Sequence, residues 1–347
     1  TLSMAIPLLL MNLFTEKSTI IITCHKRITP YLEDDVKQLG FSIDSSFITG
    51  ISITGTITDC IKLNLNLRCA SQVLYSLKSF NADNADDIYN NLVSYPWESI
   101  LPDPGYFSIT SNVNNPTINN SMFANLRVKD AIVDRIRDKR GSRPSTGSEL
   151  TGTVIHLFWK NEDATIFVDT TGDSLARHGY RKIPGLAPML EGLAAATIYA
   201  TRWDKVSPFI NPMCGSGTLA IEAAMIATNR VPGLFRTNYA FMHVQGYDEM
   251  VYLKEDALLE QQITDVPELK IIATDISAKA IENAKKNAIA AGVEKLIDFE
   301  VCEFAETDVP VDAAGVMMIN PEYGERLGEI SALEETYKRI GDFMKKS

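Results

Sequence analysis

The sequence predicts a protein of mixed class, α/β in its C-terminal half and α+β in its N-terminal half. Three observations carry this. Phe209 to Ala224, FINPMCGSGTLAIEAA, runs from a short apolar segment through a turn holding Gly215 and Gly217 into a run of helix-forming composition, Thr218 to Ala227. Two later apolar runs repeat the strand signal: Ile271 to Asp275 (IIATD), followed by a helical stretch at Ser277 to Ala291, and Val316 to Tyr323 (VMMINPEY). Near the N-terminus, β-branched and helical stretches alternate within very few residues, which suggests a small α+β unit.

In chain order, Thr19 to Thr23 (TIIIT) is a strand by β-branched content, Tyr31 to Leu39 a helix ending at Gly40, and Ile48 to Ile57 one or two strands. Strand–helix–strand over this span suggests a ferredoxin-like unit. Asp59 to Leu77 is expected to be helical, Asn81 to Asn91 polar with a helical end, and Tyr106 to Thr110 a short strand. Asn112 to Asn120, rich in Asn and Pro, is expected to be loop. Ser121 to Arg140 reads as a helix with Met122, Leu126, Val133 and Ile136 on one face and Arg127 and Arg135 pointing away. Thr153 to Trp159 and Thr165 to Asp169 form a hairpin around Asn161–Asp163, Thr170 to Pro188 connects, and Met189 to Arg202 is an Ala-rich helix. The domain boundary is placed near Thr170–Thr171.

The 347 residues suffice for two or three domains, and 45% hydrophobic content can build their cores. A net charge of −11 excludes nonspecific wrapping of nucleic acid by the whole surface. Residues 1–170 carry 15 Lys/Arg against 18 Asp/Glu (net −3) and residues 171–347 carry 18 against 26 (net −8), so a polyanion meets less repulsion at the N-terminal half. Within it, Arg127 to Arg143 holds seven basic and three acidic residues, net +4. Two readings stay open there: a solvated face with i,i+4 ion pairs to Asp130, Asp134 and Asp138, or a nucleic-acid contact using Arg127, Lys129, Arg135, Lys139, Arg140 and the loop residue Arg143.

The five cysteines are scattered with no C-x-x-C, and the four histidines are too far apart for a local metal motif. Reduced thiols in a cytoplasmic protein and no metal are expected. Thr1 to Phe14 is apolar, uncharged and too short to span a bilayer, and the first basic residue is Lys17, which is unlike a secretory signal. It is read as a disordered leader with Met11 an available initiator, and no membrane partner is expected.

Strand, Gly-rich turn and helix is how an α/β sheet offers backbone N–H groups to a nucleotide-like ligand, although such a turn can also exist without a ligand. An acid closing the next strand, Asp275, is where ribose hydroxyls are held. Asn-Pro-Glu-Tyr at 320–323 has no use in a nicotinamide or flavin enzyme, whereas a methyltransferase acting on an exocyclic amine needs such acceptors. The plainer alternative is a proline-stiffened turn with Tyr323 packed inside. Cys214 reads as a packing residue, since no basic partner lies near it in sequence.

Five stretches in order, NLRVKDAIVDRIRDK, HGYRKIPGLAPMLEGLAAA, NPMCGSGTLAIEAAMIATNRVPGL, TDISAKAIENAKKNAIAAGV and NPEYGERLGE, give the chain a family resemblance. It resembles the THUMP-containing RNA guanine-N2 methyltransferases of the bacterial ribosomal large-subunit (23S rRNA) type. The resemblance implies a leader (1–14), a ferredoxin-like unit (15–58), a THUMP RNA-binding domain (59–170) and a Rossmann-like class I S-adenosylmethionine (SAM) methyltransferase domain (171–347). It implies that Asn211, Cys214, Gly215 and Gly217 line the methionine end of SAM, Asp275 the ribose and Glu303 the adenine amine. Asn320, Pro321 and Tyr323 would take the target base. Departures are Asn211 and Glu303 where the family usually has Asp, Glu322 where it has Pro, and Leu190 where it often has a basic residue. A sheet of this class uses about three further strands after the helix at Ser331 to Lys346, so it is expected to be incomplete within these residues. A DNA adenine-N6 methyltransferase and a non-catalytic RNA-binding assembly factor are the competing functions, and the oligomeric state is open.

Overall fold

The structure is a computed structural model and describes residues 12–183, 188–310, 314–321 and 330–345. The described chain divides into two compact units, the first ending at Leu175 and taking back Thr237–Asp256, the second holding the remainder from Ala176.

The first unit is built on one eight-stranded sheet. Its elements in chain order are β1 (Ser18–Thr23), α1 (Thr29–Gln38), β2 (Ser45–Phe47), β3 (Gly50–Gly55), α2 (Ile57–Asn66), β4 (Gln72–Asn81), α3 (Ala85–Leu92), β5 (Tyr106–Asn114), α4 (Ser121–Arg140), β6 (Ser145–Thr146), β7 (Thr153–Lys160) and β8 (Asp163–Asp169). The strand order is β2-β3-β1-β4-β8-β7-β5-β6. β4 joins the two halves: its first residues pair with β1 and its length from Leu74 to Asn81 pairs with β8. Ile20, Ile22, Ile51 and Ile53 are fully buried, as period-two alternation on a covered sheet requires.

Several expectations need correction here. The helix foreseen over Asp59 to Leu77 ends at Asn66, and Gln72 onward is strand. A capping box of Thr56 and Asp59 starts α2, while Leu67 is already extended. Val73, Leu74 and Tyr75 are all buried, and Val73 and Tyr75 pair with Ile22 and Ile20 of β1. Asn112, Val113 and Asn114, foreseen as loop, are strand because β7 pairs with β5 as far as Asn114–Lys160. The leader does not extend through Phe14: Leu13 and Phe14 are buried, and their carbonyls accept from Ile57 N and Thr58 Oγ1. Thr170 and Thr171, where the domain boundary is expected, lie within the first unit, which ends at Leu175. Both are fully buried and bonded to Asn64 of α2 at 2.9 and 2.7 Å. On α4 the buried stripe is Ala124, Val128, Ala131, Ile132 and Ile136, with Val133 beside it, while Met122 and Leu126 are 67% and 41% exposed.

The second unit begins with α5 (Glu191–Ala200), β9 (Phe209–Asn211) and α6 (Thr218–Ala227). α7 (Glu249–Gln261) straddles the division, and β10 (Ile271–Asp275), α8 (Ala278–Ala291), β11 (Ile297–Val301), β12 (Val316–Met317) and α9 (Ile330–Met344) follow. β11 was not foreseen. Its sequence, IDFEV, carries acids on the face away from the helices, which masks the apolar run. The sheet order is β11-β10-β9-β12, parallel throughout. All ten residues of α6 are buried, and Phe209, Ile271, Ala273 and Ile297 face them from the sheet. Strand order reverses between β9 and β12, and a ligand crevice is expected outside the carboxyl ends of strands at such a reversal.

Candidate cofactor and substrate cavity

At that reversal, β9 delivers Asn211, which is 1% exposed. Its Nδ2 donates to Met318 O at 2.9 Å and so ties β9 to the chain leaving β12. Its Oδ1 is buried and accepts from nothing among the described residues. A buried acceptor of this kind costs about 1–3 kcal/mol unless a donor reaches it, so the position suits an incoming ammonium or N–H group. The turn that follows uses three left-handed residues, Met213 (φ 54°), Gly215 (φ 57°) and Gly217 (φ 85°). The glycines serve different ends. A Cβ on Gly215 would meet nothing within 4 Å, whereas one on Gly217 would come 2.9 Å from the Ala284 Cβ of α8. Gly215 opens on the cavity, and Gly217 permits close packing of α6 against α8.

Asp275 closes β10 and locks the turn. Its Oδ2 accepts from Gly215 N and its Oδ1 from Ser277 N, both at 2.9 Å. Each oxygen keeps a lone pair for a ligand hydroxyl. Around these groups lies a cavity of about 600 Å³, lined by Asn211, Cys214, Gly215, Asp275, Glu303, Asn320 and Pro321 together. Of the cofactor and base residues expected from the sequence, Gly217 is behind the wall, and Tyr323, like Glu322, lies outside the described residues. Burial, followed by the nearby Asp275 charge, pushes the Cys214 thiol up, which suits a packing residue and opposes a nucleophile.

Glu303 reaches the wall with both oxygens engaged. Oε2 accepts from Ala305 N at 2.9 Å, and Oε1 pairs at 2.9 Å with Arg339 of α9, whose guanidinium stands 5.1 Å over the Phe304 ring. Sequence reasoning missed Arg339, since nothing in the α9 pattern marks one cation from another. It also missed Asn287. This fully buried amide on α8 accepts from Lys182 N and Ile183 N, both at 3.0 Å, and donates to Ile183 O at 2.9 Å and Ser216 O at 3.1 Å. It therefore pins the chain entering Pro188 and Met189 of the cavity wall to the glycine turn. A signal was present: Asn287 shares the inward stripe of Ile281, Ala284 and Ala288, and a polar residue there must be hydrogen-bonded.

The basic residues of α4 are mostly spoken for within the first unit. Arg127 pairs with Asp86 at 2.8 Å and lies 4.6 Å over the Tyr89 ring. Arg135 holds Glu98 through two bonds of 3.0 and 2.5 Å. Arg140 donates to the carbonyls of Glu98, Leu101 and Pro102. The expectation that Arg135 points away from its helix's packed side is thus corrected. Lys129 is half-buried, and Lys139 and Arg143 are exposed. Among the described residues, no three His, Cys, Asp or Glu side chains are placed to hold a metal, and no helix is long and apolar enough to cross a membrane.

Comparison with known proteins matches three family models in succession: the RlmL ferredoxin-like domain over residues 19–74, the THUMP domain over 82–169, and the RMKL-like methyltransferase domain over 178–347. The ribosomal RNA large subunit methyltransferase K/L of Syntrophotalea carbinolica is 36% identical over 92% of this chain and 46% of its own length. The chain thus spans about half the length of the curated relatives it matches. Among solved structures, SMU.472 complexed with SAH is similar at 26% identity and a TM-score of 0.85, covering 96% of this chain and 87% of that one. A predicted N6-adenine-specific DNA methylase from Listeria monocytogenes str. 4b F2365 is similar at 30% identity and 0.86, covering 95% and 86%. These matches define the class, a methyltransferase fold carried behind a THUMP-bearing module. Within that class, residues 178–347 match the RMKL-like methyltransferase domain.

Proposed function

We propose that this chain is a SAM-dependent ribosomal RNA methyltransferase of the cytoplasm, and that its target is the exocyclic N2 amine of a guanine in 23S rRNA. The observation that carries the reading is the single cavity joining Asn211, Gly215 and Asp275 to Asn320 and Pro321. The SAH complex of SMU.472 and the names of the rRNA methyltransferase relatives support it.

SAM bound there supplies a methyl group on a sulfonium, already activated for transfer. The chain's own groups then bind and orient. The unpartnered Asn211 Oδ1 would receive the ammonium end, and the remaining lone pairs of Asp275 would take ribose hydroxyls. A guanine amine is a weak nucleophile because its lone pair is delocalised into the ring. Asn320 Oδ1 and the Pro321 carbonyl accept its two hydrogens, which draws the nitrogen towards sp³ and localises that lone pair. These acceptors gain most in the transition state, where positive charge grows on nitrogen. Methyl transfer to that amine would be balanced by departure of the neutral thioether and by loss of the amine proton to water. Tyr323 would stack on the extruded base. Lys129, Lys139 and Arg143 remain available to phosphates.

The test is transfer of tritium from labelled SAM to rRNA lacking the modification, followed by digestion to nucleosides. N2-methylguanosine is the expected product. The Listeria similarity favours N6-methyladenosine as the second reading, and its appearance would replace the first. RNA binding without either SAH binding or incorporation would leave a non-catalytic RNA-binding protein.

A further inference from the structure

Besides Lys139 and Arg143, two further cations of the first unit, Lys26 and Arg27, stand free on another loop. His25, Lys26 and Arg27, three consecutive residues between β1 and α1, are all exposed. Among the described residues their side chains make no ion pair or hydrogen bond. The first turn of α1 beyond them carries no acid and no side-chain cap. Arg27 sits at φ 76°.

A second loop is fastened to this one. Thr29 Oγ1 donates to the carbonyls of Phe47 and Ile48, both at 3.0 Å, and Cys24 N donates to Thr49 O at 2.8 Å. The β2–β3 turn therefore lies beside the cationic loop, and it presents Phe47 and Ile48, 39% and 68% exposed. The Phe47 ring is held: its Cε2 lies 3.0 Å from where a Cβ of Gly50 would stand, so the ring rests on bare backbone. Free cations next to a fixed, exposed ring are the two components of single-strand recognition, charge for the phosphates and a π-face for a base.

We propose that this corner of the first unit, Lys26 and Arg27 with Phe47, is a contact for single-stranded RNA, which the basic face of α4 largely is not. The proposal rests on the RNA-directed reading above and deepens it. Lys26 and Arg27 neutralise phosphates, Phe47 stacks an unpaired base, and Ile48 covers its edge. A chain of net charge −11 repels RNA over most of its surface, so a local cluster without acid partners selects where the strand runs.

The test uses the full chain, a labelled single-stranded oligoribonucleotide and a duplex of equal length, titrated across salt concentrations. Lys26→Ala with Arg27→Asn removes both charges, and Asn tolerates the left-handed backbone at 27. Affinity for the single strand is expected to fall about tenfold at ~0.1 M salt, and the slope of log K against log salt to drop by roughly 1.4. Phe47→Ala is expected to cost about tenfold on the single strand, little on the duplex, and to leave the slope unchanged. Lys139→Ala with Arg143→Ala is the comparison pair, expected to change affinity less than the loop pair. Melting temperatures check that each variant folds. Unchanged affinity and slope in both loop variants, with the wild type binding, overturns this assignment and leaves the proposed function standing. A wild type that binds no RNA removes both. Self-association that Phe47→Ala abolishes while RNA affinity stays intact gives the patch to a second copy instead, which also overturns the proposal.

Discussion

The turn from Asn211 to Gly217 and the helix α4 are both short runs of distinctive residue types, yet they spend them in opposite ways. In the turn, backbone conformation dictates the residue types, and the side chains around it converge on one cavity. On α4, three of five candidate phosphate-binding cations are held by Asp86, Glu98 and a set of carbonyls. A glycine at positive φ reports local geometry, which a sequence states directly. A positive charge reports only itself, and whether it meets water, an anion or a nearby carboxylate is settled by segments far along the chain.

Three changes would break or sharpen that contrast. The largest effect is expected from Asn320→Ala. If Asn320 acts on the developing charge, the methyl-transfer rate constant drops about 100-fold or more while SAH affinity stays within a few-fold. Equal losses in both, measured by single-turnover transfer and calorimetry, would demote it to a wall residue.

Next is Asn287→Asp. The carboxylate still accepts from Lys182 and Ile183 but cannot donate, and it faces the carbonyls of Ile183 and Ser216. Stability should fall by about 3 kcal/mol, from one buried and one half-buried carbonyl left unpaired beside a charge. SAH affinity should weaken about tenfold as the glycine turn loosens. Denaturant melts together with calorimetry separate the two, and unchanged SAH affinity would show that the clamp does not reach the cavity.

The smallest is Arg135→Ala, worth about 1–2 kcal/mol for a half-buried, doubly bonded pair. It should leave RNA affinity nearly unchanged, and a large loss of affinity would return α4 to the RNA surface. Burial pulls the Glu98 carboxyl upward, but the Arg135 bonds and charge outweigh it, so the group is held below its ordinary 4.5. A depressed carboxylate contributes stability above the unfolded value and loses it as pH falls through the folded one. The gap between wild type and variant should therefore be full at pH 7 and close below about pH 4.5, as melts across pH will show.

Legibility differed in the same way along the chain. The hairpin of β7 and β8, the strands β9 and β10 and the helices α6 and α8 were readable because their periodicity and end residues agree with their final environment. β11 was missed because its acids face away from the core, and β4 was merged into a helix because Leu and Lys suit either element until a partner strand is present. Asn211, Cys214, Gly215, Asp275, Glu303, Asn320 and Pro321, all legible as candidates in the sequence, line one hollow. Arg339 and Phe304 carry no such mark, since their roles consist of what they touch, whereas Asn287 is marked only by its place on an apolar stripe.

By itself, the chain of residue types determined the two fold classes, the parallel unit's strand–turn–helix and the polar groups at its mouth. These follow from backbone sterics and from the 3.6- and two-residue periods, which act over neighbours. Only the tertiary structure decided which cations were left unclaimed, that β4 would run as one strand from the ferredoxin-like half into the THUMP half, and that Glu303 would meet Arg339. Those outcomes depend on pairs brought together from distant positions, and no local propensity encodes such an encounter.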